Sequence, residues 1–451
     1  MCASPVFVVL SFLLSIHQIL SQYVPPEALV EPLKPAGIRI SIPYDEGSTL
    51  VAFHVKFNEE FDGLEAGSIA RDILKPKNGR WTYKDKTTKL NKGDKVYYWI
   101  HVVYNGLGYN LIDQEHTVND FYDENGDVLC ELSETKLYEQ DGSVRNVCQK
   151  QLLFEEKFID SREFMKNNWT IVEQFSTAPD YEFVVYRNSD PNIKVNRGLS
   201  IYPRLMKDDY GDLYVRKGTL NLKRCTSSKD DDCNRRAQSW NILPPVSSAR
   251  INTGKAINFE YGHIEIRAKF PRGDWLYPLL MLEPVDNIKN RPESTTQIRI
   301  ASTVGNTQLK TDDGRDISGF VLWGGSTFTQ SDRFDKNLEV KKNDHLWSEE
   351  FHNYELTWSP GRLSMSVDGQ LYADQQVRIP TDTPYYLTIG LAVGGLSEFP
   401  DRSMSNGYMK PWRNSEAKAL LNFYNAFDSW AKTWDPQESS LQVSHVKISS
   451  L

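Results

Sequence analysis

At about 100–200 residues per domain, a chain of 451 residues holds two or three domains and excludes a single small module. Hydrophobic residues at 39%, charged residues at 25%, 27 Gly and 22 Pro exclude a disordered or collagen-like chain. The 52 Lys and Arg against 60 Asp and Glu give a formal net charge of -8, which disfavours a general electrostatic grip on nucleic acid or anionic lipid and leaves room for local basic patches. Eleven Trp and 22 Tyr exceed what a core of this size needs and point to flat stacking surfaces.

Residues 1–22 carry an apolar stretch from Val6 to Ile16, broken only by Ser11 and Ser15. That is the length of a cleaved secretory leader and too short to span a bilayer, so the mature chain is expected outside the cell with no membrane span. Loss of the leader removes Cys2 and leaves Cys130, Cys148, Cys225 and Cys233, an even number that fits two disulfides in an oxidising compartment. Loop closure favours the local pairs Cys130–Cys148 and Cys225–Cys233 among the three connectivities. No C-x-x-C spacing supports zinc, and Asn168-Trp169-Thr170 is the one glycosylation sequon.

The runs 37–43, 49–58, 79–85 and 95–105 are short, β-branched or aromatic, and separated by turn residues, which predicts a β-sandwich over 23–122. Residues 123–153 are polar and rich in Asp and Glu, and read as a linker with a stapled loop. From 154 to 451 the runs 262–273, 296–303, 320–325, 353–372, 385–395 and 440–450 repeat the texture, predicting one large two-sheet jelly roll. The fold class is therefore all-β, with one helix expected over 414–434, where apolar residues fall near a 3.6-residue period.

Alternation in the run KVYYWIHVVY puts Val96, Tyr98, Ile100 and Val102 on one face and Tyr97, Trp99 and His101 on the other. The first set reads as core and the second as an outward row, joined by Trp81 and Tyr83 of the run 79–85. Apolar sugar faces stack on such rings, while Asp72 or Asn110 supplies hydrogen bonds to hydroxyls. The competing reading packs Trp81 or Trp99 beneath neighbouring chain.

The motifs GLEAG, RDI, KNGRW, GDK and GLGY within residues 35–109 resemble the family 39 carbohydrate-binding module of insect β-1,3-glucan recognition proteins. The resemblance implies an immunoglobulin-like sandwich with an exposed glucan-binding sheet, and marks Asp72 and Trp99 as ligand contacts. The position after GLGY, often Arg in relatives, is Asn110. The stretches 261–284 and 351–360 resemble laminarinase-type family 16 glycoside hydrolases, which implies a jelly roll whose cleft Trp275 and Trp323 would line.

Active members of that second family carry Glu-x-Asp-x-x-Glu on one strand, where a bulge returns the last Glu to the face of the first, near the roughly 5–5.5 Å separation that a retaining double displacement needs. Aligned on Gly305-Asn306, this chain has Gln297, Arg299 and Ser302 in those places. An amide is a poor nucleophile and an unassisted hydroxyl a poor acid, so no hydrolysis is expected. Arg299 reads either as a buried salt bridge or as a hydroxyl donor, and Gln297 and Ser302 as satisfied core polar groups. No cofactor motif or metal set appears; the acidic run 227–234 lacks the ligand spacing of a calcium loop.

Taken whole, the chain resembles the β-1,3-glucan recognition proteins, also called Gram-negative-bacteria-binding proteins. The resemblance implies a haemolymph pattern-recognition protein of innate immunity that clusters on glucan and recruits serine proteases of the prophenoloxidase or Toll cascades. Competing expectations are a secreted endo-β-1,3-glucanase with an attached binding module, and a broader binder of bacterial surface polymers such as lipopolysaccharide or lipoteichoic acid.

Overall fold

The computed structural model describes residues 23–167, 169–189, 191–285, 294–330 and 333–451, and these fall into two compact units, the first ending at Cys130 and the second beginning at Glu131. The leader segment and Asn168 lie outside the described residues. Both units are built almost wholly of antiparallel strands. Among the described residues no helix is long and apolar enough to cross a membrane.

The first unit contains β1 (Leu29–Pro32), β2 (Ile38–Pro43), β3 (Ser48–Phe57), β4 (Ile69–Ile73), β5 (Arg80–Asp85), β6 (Lys95–Tyr104), β7 (Leu107–Thr117), β8 (Phe121–Tyr122) and β9 (Val128–Leu129). A three-stranded sheet, β1-β2-β5, shares one core with a four-stranded sheet, β4-β3-β6-β7. Strict alternation builds that core. Val51, Phe53 and Val55 of β3 stand opposite Val102, Ile100 and Tyr98 of β6, and Ile38, Ile40 and Ile42 come from β2.

Trp81 belongs to this core. It is 1% exposed and donates its indole N–H to Ser48 Oγ at 2.9 Å, while Tyr83 is buried beside it. Both were expected on the outward aromatic row. The correction follows from pairing: β5 lies in the other sheet, with Trp81 opposite Ile42, so its apolar side faces inward.

In the second unit β10 (Leu132–Tyr138) and β11 (Val144–Cys148) form one edge of a ten-stranded sheet, and β12 (Leu152–Glu156) pairs with the strand Leu441–Ser449 of an eight-stranded sheet. Residues 131–153 are thus part of the jelly roll, not of a linker. Edge strands carry polar residues on their solvent side, which disguises them as loop, while Leu137 and Val147 bury. From β10 the larger sheet runs through Asn258–Glu260, Tyr385–Val393, Leu276–Pro284, Ser294–Ser302, Val321–Gln330 and Arg333–Lys342. The two sheets share a single core, and Leu276–Pro284 is buried along its whole length.

The strand Leu441–Ser449 lies inside the smaller sheet, between Leu199–Ile201 and Gly262–Lys269. The residues after it are tied down as well: Leu451 N–H donates to Thr135 Oγ1 at 3.0 Å and Ser450 N–H to the Gln151 carbonyl at 2.9 Å.

The helix expected over 414–434 is shorter and broken, into Ala419–Asn425, Phe427–Trp430 and a 3-10 turn, Ala431–Thr433. The break lets Phe423 and Trp430 bury stacked at 4.5 Å, with the Trp430 indole N–H donating to the Phe423 carbonyl at 2.9 Å. Trp275, expected in a cleft, is wholly buried against Phe399 and Trp412; Trp323 is half-buried and packs on the same core.

Trp81→Ala is expected to cost about 3–5 kcal/mol of stability, the usual penalty of emptying a large aromatic site. Urea unfolding of the full chain measures it, and a transition at the parent's midpoint would place Trp81 outside the core.

Candidate functional site

Of the sequence-predicted contacts of the first unit, Asp72, Tyr97, Trp99 and Asn110 lie on the outer face of β4-β3-β6-β7, and Trp81 lies in the core. Asp72 on β4 stands opposite Ala52 on β3, Ala52 opposite His101 on β6, and His101 opposite Asn110 on β7. The row therefore crosses all four strands, with Asp72 and Asn110 exposed at its ends. His101 Nδ1 lies 2.7 Å from Asn110 Oδ1. Gly108 is required beside it, since a Cβ there would stand 2.5 Å from the His101 ring. Tyr97 is half-buried one pleat away, opposite Lys56.

Trp99 sits next to this row but is not open. Its ring stacks on that of His54, its cross-strand partner, with centroids 3.7 Å apart and planes 1° from parallel. The indole N–H donates to the Glu65 carbonyl at 2.9 Å, and only 8% of the residue is exposed. The loop over residues 58–68 laps this pair. Lys56 pins the loop through Glu59 at 3.0 Å and Glu65 at 2.9 Å, and its bond to Glu65, with the Asp62 N–H, holds the Glu65 carboxyl below its ordinary value. His54 escaped the sequence reading because only the β3–β6 register makes it a partner of Trp99.

Cys225 and Cys233 form a disulfide with Cα atoms 5.5 Å apart, closing the acidic run around the short turn Asp230–Asp232. Cys130 and Cys148 are also disulfide-bonded.

In the second unit, Gln297, Arg299 and Ser302 lie on Ser294–Ser302, and the pairing with Val321–Gln330 shifts register between Arg299 and Ser302, where a bulge is expected. Arg299 is 2% exposed. It bonds Glu398 at 2.7 Å and Asp180 at 3.3 Å, and Lys336 reaches Glu398 at 2.8 Å. Ion pairing, the first of the two readings for this residue, thus accounts for it. Gln297 donates to Glu283 at 3.0 Å and accepts from Thr327 at 3.4 Å; Glu283 also pairs with Arg250 and accepts from Thr388. Ser302 Oγ donates to the Pro278 carbonyl at 3.4 Å.

Carboxylates are therefore abundant around Arg299, and each has partners. Burial raises the Glu398 carboxyl, but Arg299 and Lys336 outweigh it and hold the group at about 2. Burial, then the Asp180 charge, pushes Glu182 up to about 7, where it accepts from Ser176 and Tyr186. Burial also raises Asp180, against the pull of Arg299. No sequence signal foretold this cluster, because Asp180, Arg299 and Glu398 are each about a hundred residues apart.

Fold and site define a carbohydrate-recognition protein: a binding module joined to a jelly roll of glycoside hydrolase type. Residues 24–136 match the family CBM39, described as "Carbohydrate binding domain (family 32)", and residues 219–419 match "Glycosyl hydrolases family 16". "Beta-1,3-glucan-binding protein 1" of Galleria mellonella is 36% identical over 505 residues, covering 98% of this chain and 99% of its own. "Beta-1,3-glucan-binding protein" of Tenebrio molitor is 36% identical over 498 residues, covering 99% and 100%. "Gram-negative bacteria-binding protein 3" of Drosophila melanogaster is 32% identical over 484 residues, covering 95% of each chain. A solved laminarinase from Rhodothermus marinus aligns over 67% of this chain and 98% of its own, at 18% identity and a TM-score of 0.41. The chain belongs to the family of β-1,3-glucan-binding and Gram-negative bacteria-binding proteins.

Glu398 and Glu182 make opposite contributions with pH. Glu398, depressed from 4.5, stabilises the fold above that pH and loses its contribution as pH falls towards about 2. Glu182, raised from 4.5, contributes fully below that pH and loses its contribution as pH rises through about 7. The thermal midpoint should therefore fall on both sides of an optimum between these limits. Glu182→Gln should lessen the fall on the alkaline side; an unchanged slope there would show that Glu182 does not titrate in this range.

Proposed function

We propose that the protein is a secreted, extracellular pattern-recognition protein that binds β-1,3-glucan on the outer face of β4-β3-β6-β7 and does not hydrolyse it. The observation that carries this reading is the Asp72–His101–Asn110 row lying beside the stacked His54–Trp99 pair. A carboxylate, an imidazole and an amide in line across a sheet match successive hydroxyls, and the stacked pair fixes a flat floor beside them. Trp99 acts here mainly by its rim and by ordering the face, given how little of it is exposed. The names of the relatives, glucan-binding and bacteria-binding, support the same ligand class.

The non-catalytic reading rests on the groups around Arg299. A retaining hydrolase needs one carboxylate free to attack and one acid facing the leaving oxygen. Here the aligned positions hold an amide, a guanidinium and a hydroxyl, and the nearby carboxylates are buried and bonded within the protein. Localisation in haemolymph, recruitment of serine proteases and ligand-driven self-association follow from the family resemblance. Many copies held on one polymer raise one another's effective concentration, which lets a weakly binding module act as a trigger.

On insoluble curdlan, Asp72→Ala and Trp99→Ala should each weaken retention of the full chain by about tenfold or more, the scale of a lost charged hydrogen bond or stacking contact. Retention of both variants at the parent's level would remove the site from this face. Incubation with laminarin should release no new reducing ends; steady release would establish instead the secreted endo-β-1,3-glucanase.

A further inference from the structure

The outer face of β4-β3-β6-β7 is open along the Asp72–His101–Asn110 row and closed beside it, where the loop over residues 58–68 lies across the His54–Trp99 pair. A flat aromatic surface next to groups that bind hydroxyls is of use to a sugar only when its cover moves. We propose that this loop is a lid latched by Lys56, and that glucan binds the indole with the lid lifted. The proposal rests on the glucan reading of this face and adds to it a positioning residue, Lys56, which acts through the loop.

The latch is a single ammonium. Its three hydrogen bonds all go to the loop, to Glu59 at 3.0 Å, to the Glu60 carbonyl at 3.3 Å and to Glu65 at 2.9 Å. The segment 57–68 holds four carboxylates, Glu59, Glu60, Asp62 and Glu65, and no cation of its own. Like charges crowded into one short loop repel, and Lys56 is the group that offsets them against the sheet. Glu65 also accepts the Asp62 N–H at 2.6 Å, so the inner turn of the loop and the latch share one carboxylate.

The hold of the loop on the rings is slight by comparison. Among the described residues two hydrogen bonds join them: the Trp99 indole N–H donates to the Glu65 carbonyl at 2.9 Å, and His54 Nδ1 lies 3.1 Å from the Ala66 carbonyl. Water replaces both partners when the loop lifts, so little net free energy opposes that step once the latch is released.

The ends of the loop are suited to a hinge, where a few residues at the ends of elements absorb the change in backbone angle. Asn58, with φ 57, is held to β6 by its N–H on the Lys95 carbonyl at 2.8 Å and by the Lys95 N–H on its Oδ1 at 2.8 Å. Gly67, with φ 76, closes the other end where a Cβ would stand 2.8 Å from the Val55 carbonyl. Between these two left-handed positions the tip is exposed, Leu64 included, so it can swing without opening the core.

A lid divides the intrinsic affinity by the fraction of molecules in which it is open, so weakening the latch should tighten binding. Calorimetric titration of the full chain with laminarin measures this: Lys56→Met should bind about threefold tighter or more, and Lys56→Arg should keep the parent's affinity. Acrylamide reads the lid without glucan. The emission of Trp99, taken as the difference from Trp99→Phe, should be quenched more strongly in Lys56→Met than in the parent or in Lys56→Arg. If Lys56→Met folds poorly, Glu65→Gln loosens the same latch from the loop side and should move both readouts in the same direction. Equal or weaker laminarin binding by the unlatched variants, or unchanged quenching of Trp99, would overturn the lid and leave the glucan face standing. A parent that does not bind laminarin would remove the glucan reading and the lid with it.

Discussion

A guanidinium withdrawn from water needs negative charge around it, and in the second unit that requirement falls on Arg299. The effective cost of burying one such ion is several kcal/mol, recovered only when partners and hydrogen bonds are well placed. Asp180 and Glu398 supply the partners and come from segments on either side in sequence, while Lys336 on the edge strand Arg333–Lys342 offsets the second carboxylate. The neutralisation is not complete at the atomic level: among the described residues, Arg299 Nε and one oxygen of Asp180 lack a hydrogen-bond partner. The charges buried around Arg299 hold separate segments of the fold together, and the Glu283–Arg250–Gln297 set repeats the pattern one pleat away.

The first unit solves the opposite problem. Its outward sheet face has to remain accessible while holding aromatic rings that water disfavours. The face does so by pairing rings with each other and by covering the least polar one, Trp99, with a pinned loop, so that the polar groups of the row are left at the surface. A sheet face built in this way is rigid, and in a binding site rigidity spares the conformational entropy that flexible sites lose on binding.

Period-two alternation made much of this legible in advance. The runs 37–43, 49–58, 79–85 and 95–105 become β2, β3, β5 and β6 with ends moved by a residue, because apolar side chains on one face leave a clear signal. Strands β4 and β7 carry mostly exposed residues and left none. The facing of a strand is harder than its existence: Trp81 and Trp99 look alike in sequence, and only membership in different sheets sends one inward. Asp72 and Asn110 could be aligned from motifs, but their meeting with His101 depends on a register across three strand pairs. The charge cluster around Arg299 is long-range throughout, and nothing local in the chain encodes it.

The strand Leu441–Ser449 has a consequence for how the molecule is made. It fills a slot between strands that lie more than a hundred residues earlier in the chain and meets β12 as well, so the smaller sheet stays divided until that segment pairs. Until then two long strand edges and an apolar interior are uncovered, which is the condition under which nascent β proteins aggregate or engage chaperones. Folding of this unit is thus expected to be slow, because its smaller sheet closes only by pairing segments far apart in sequence.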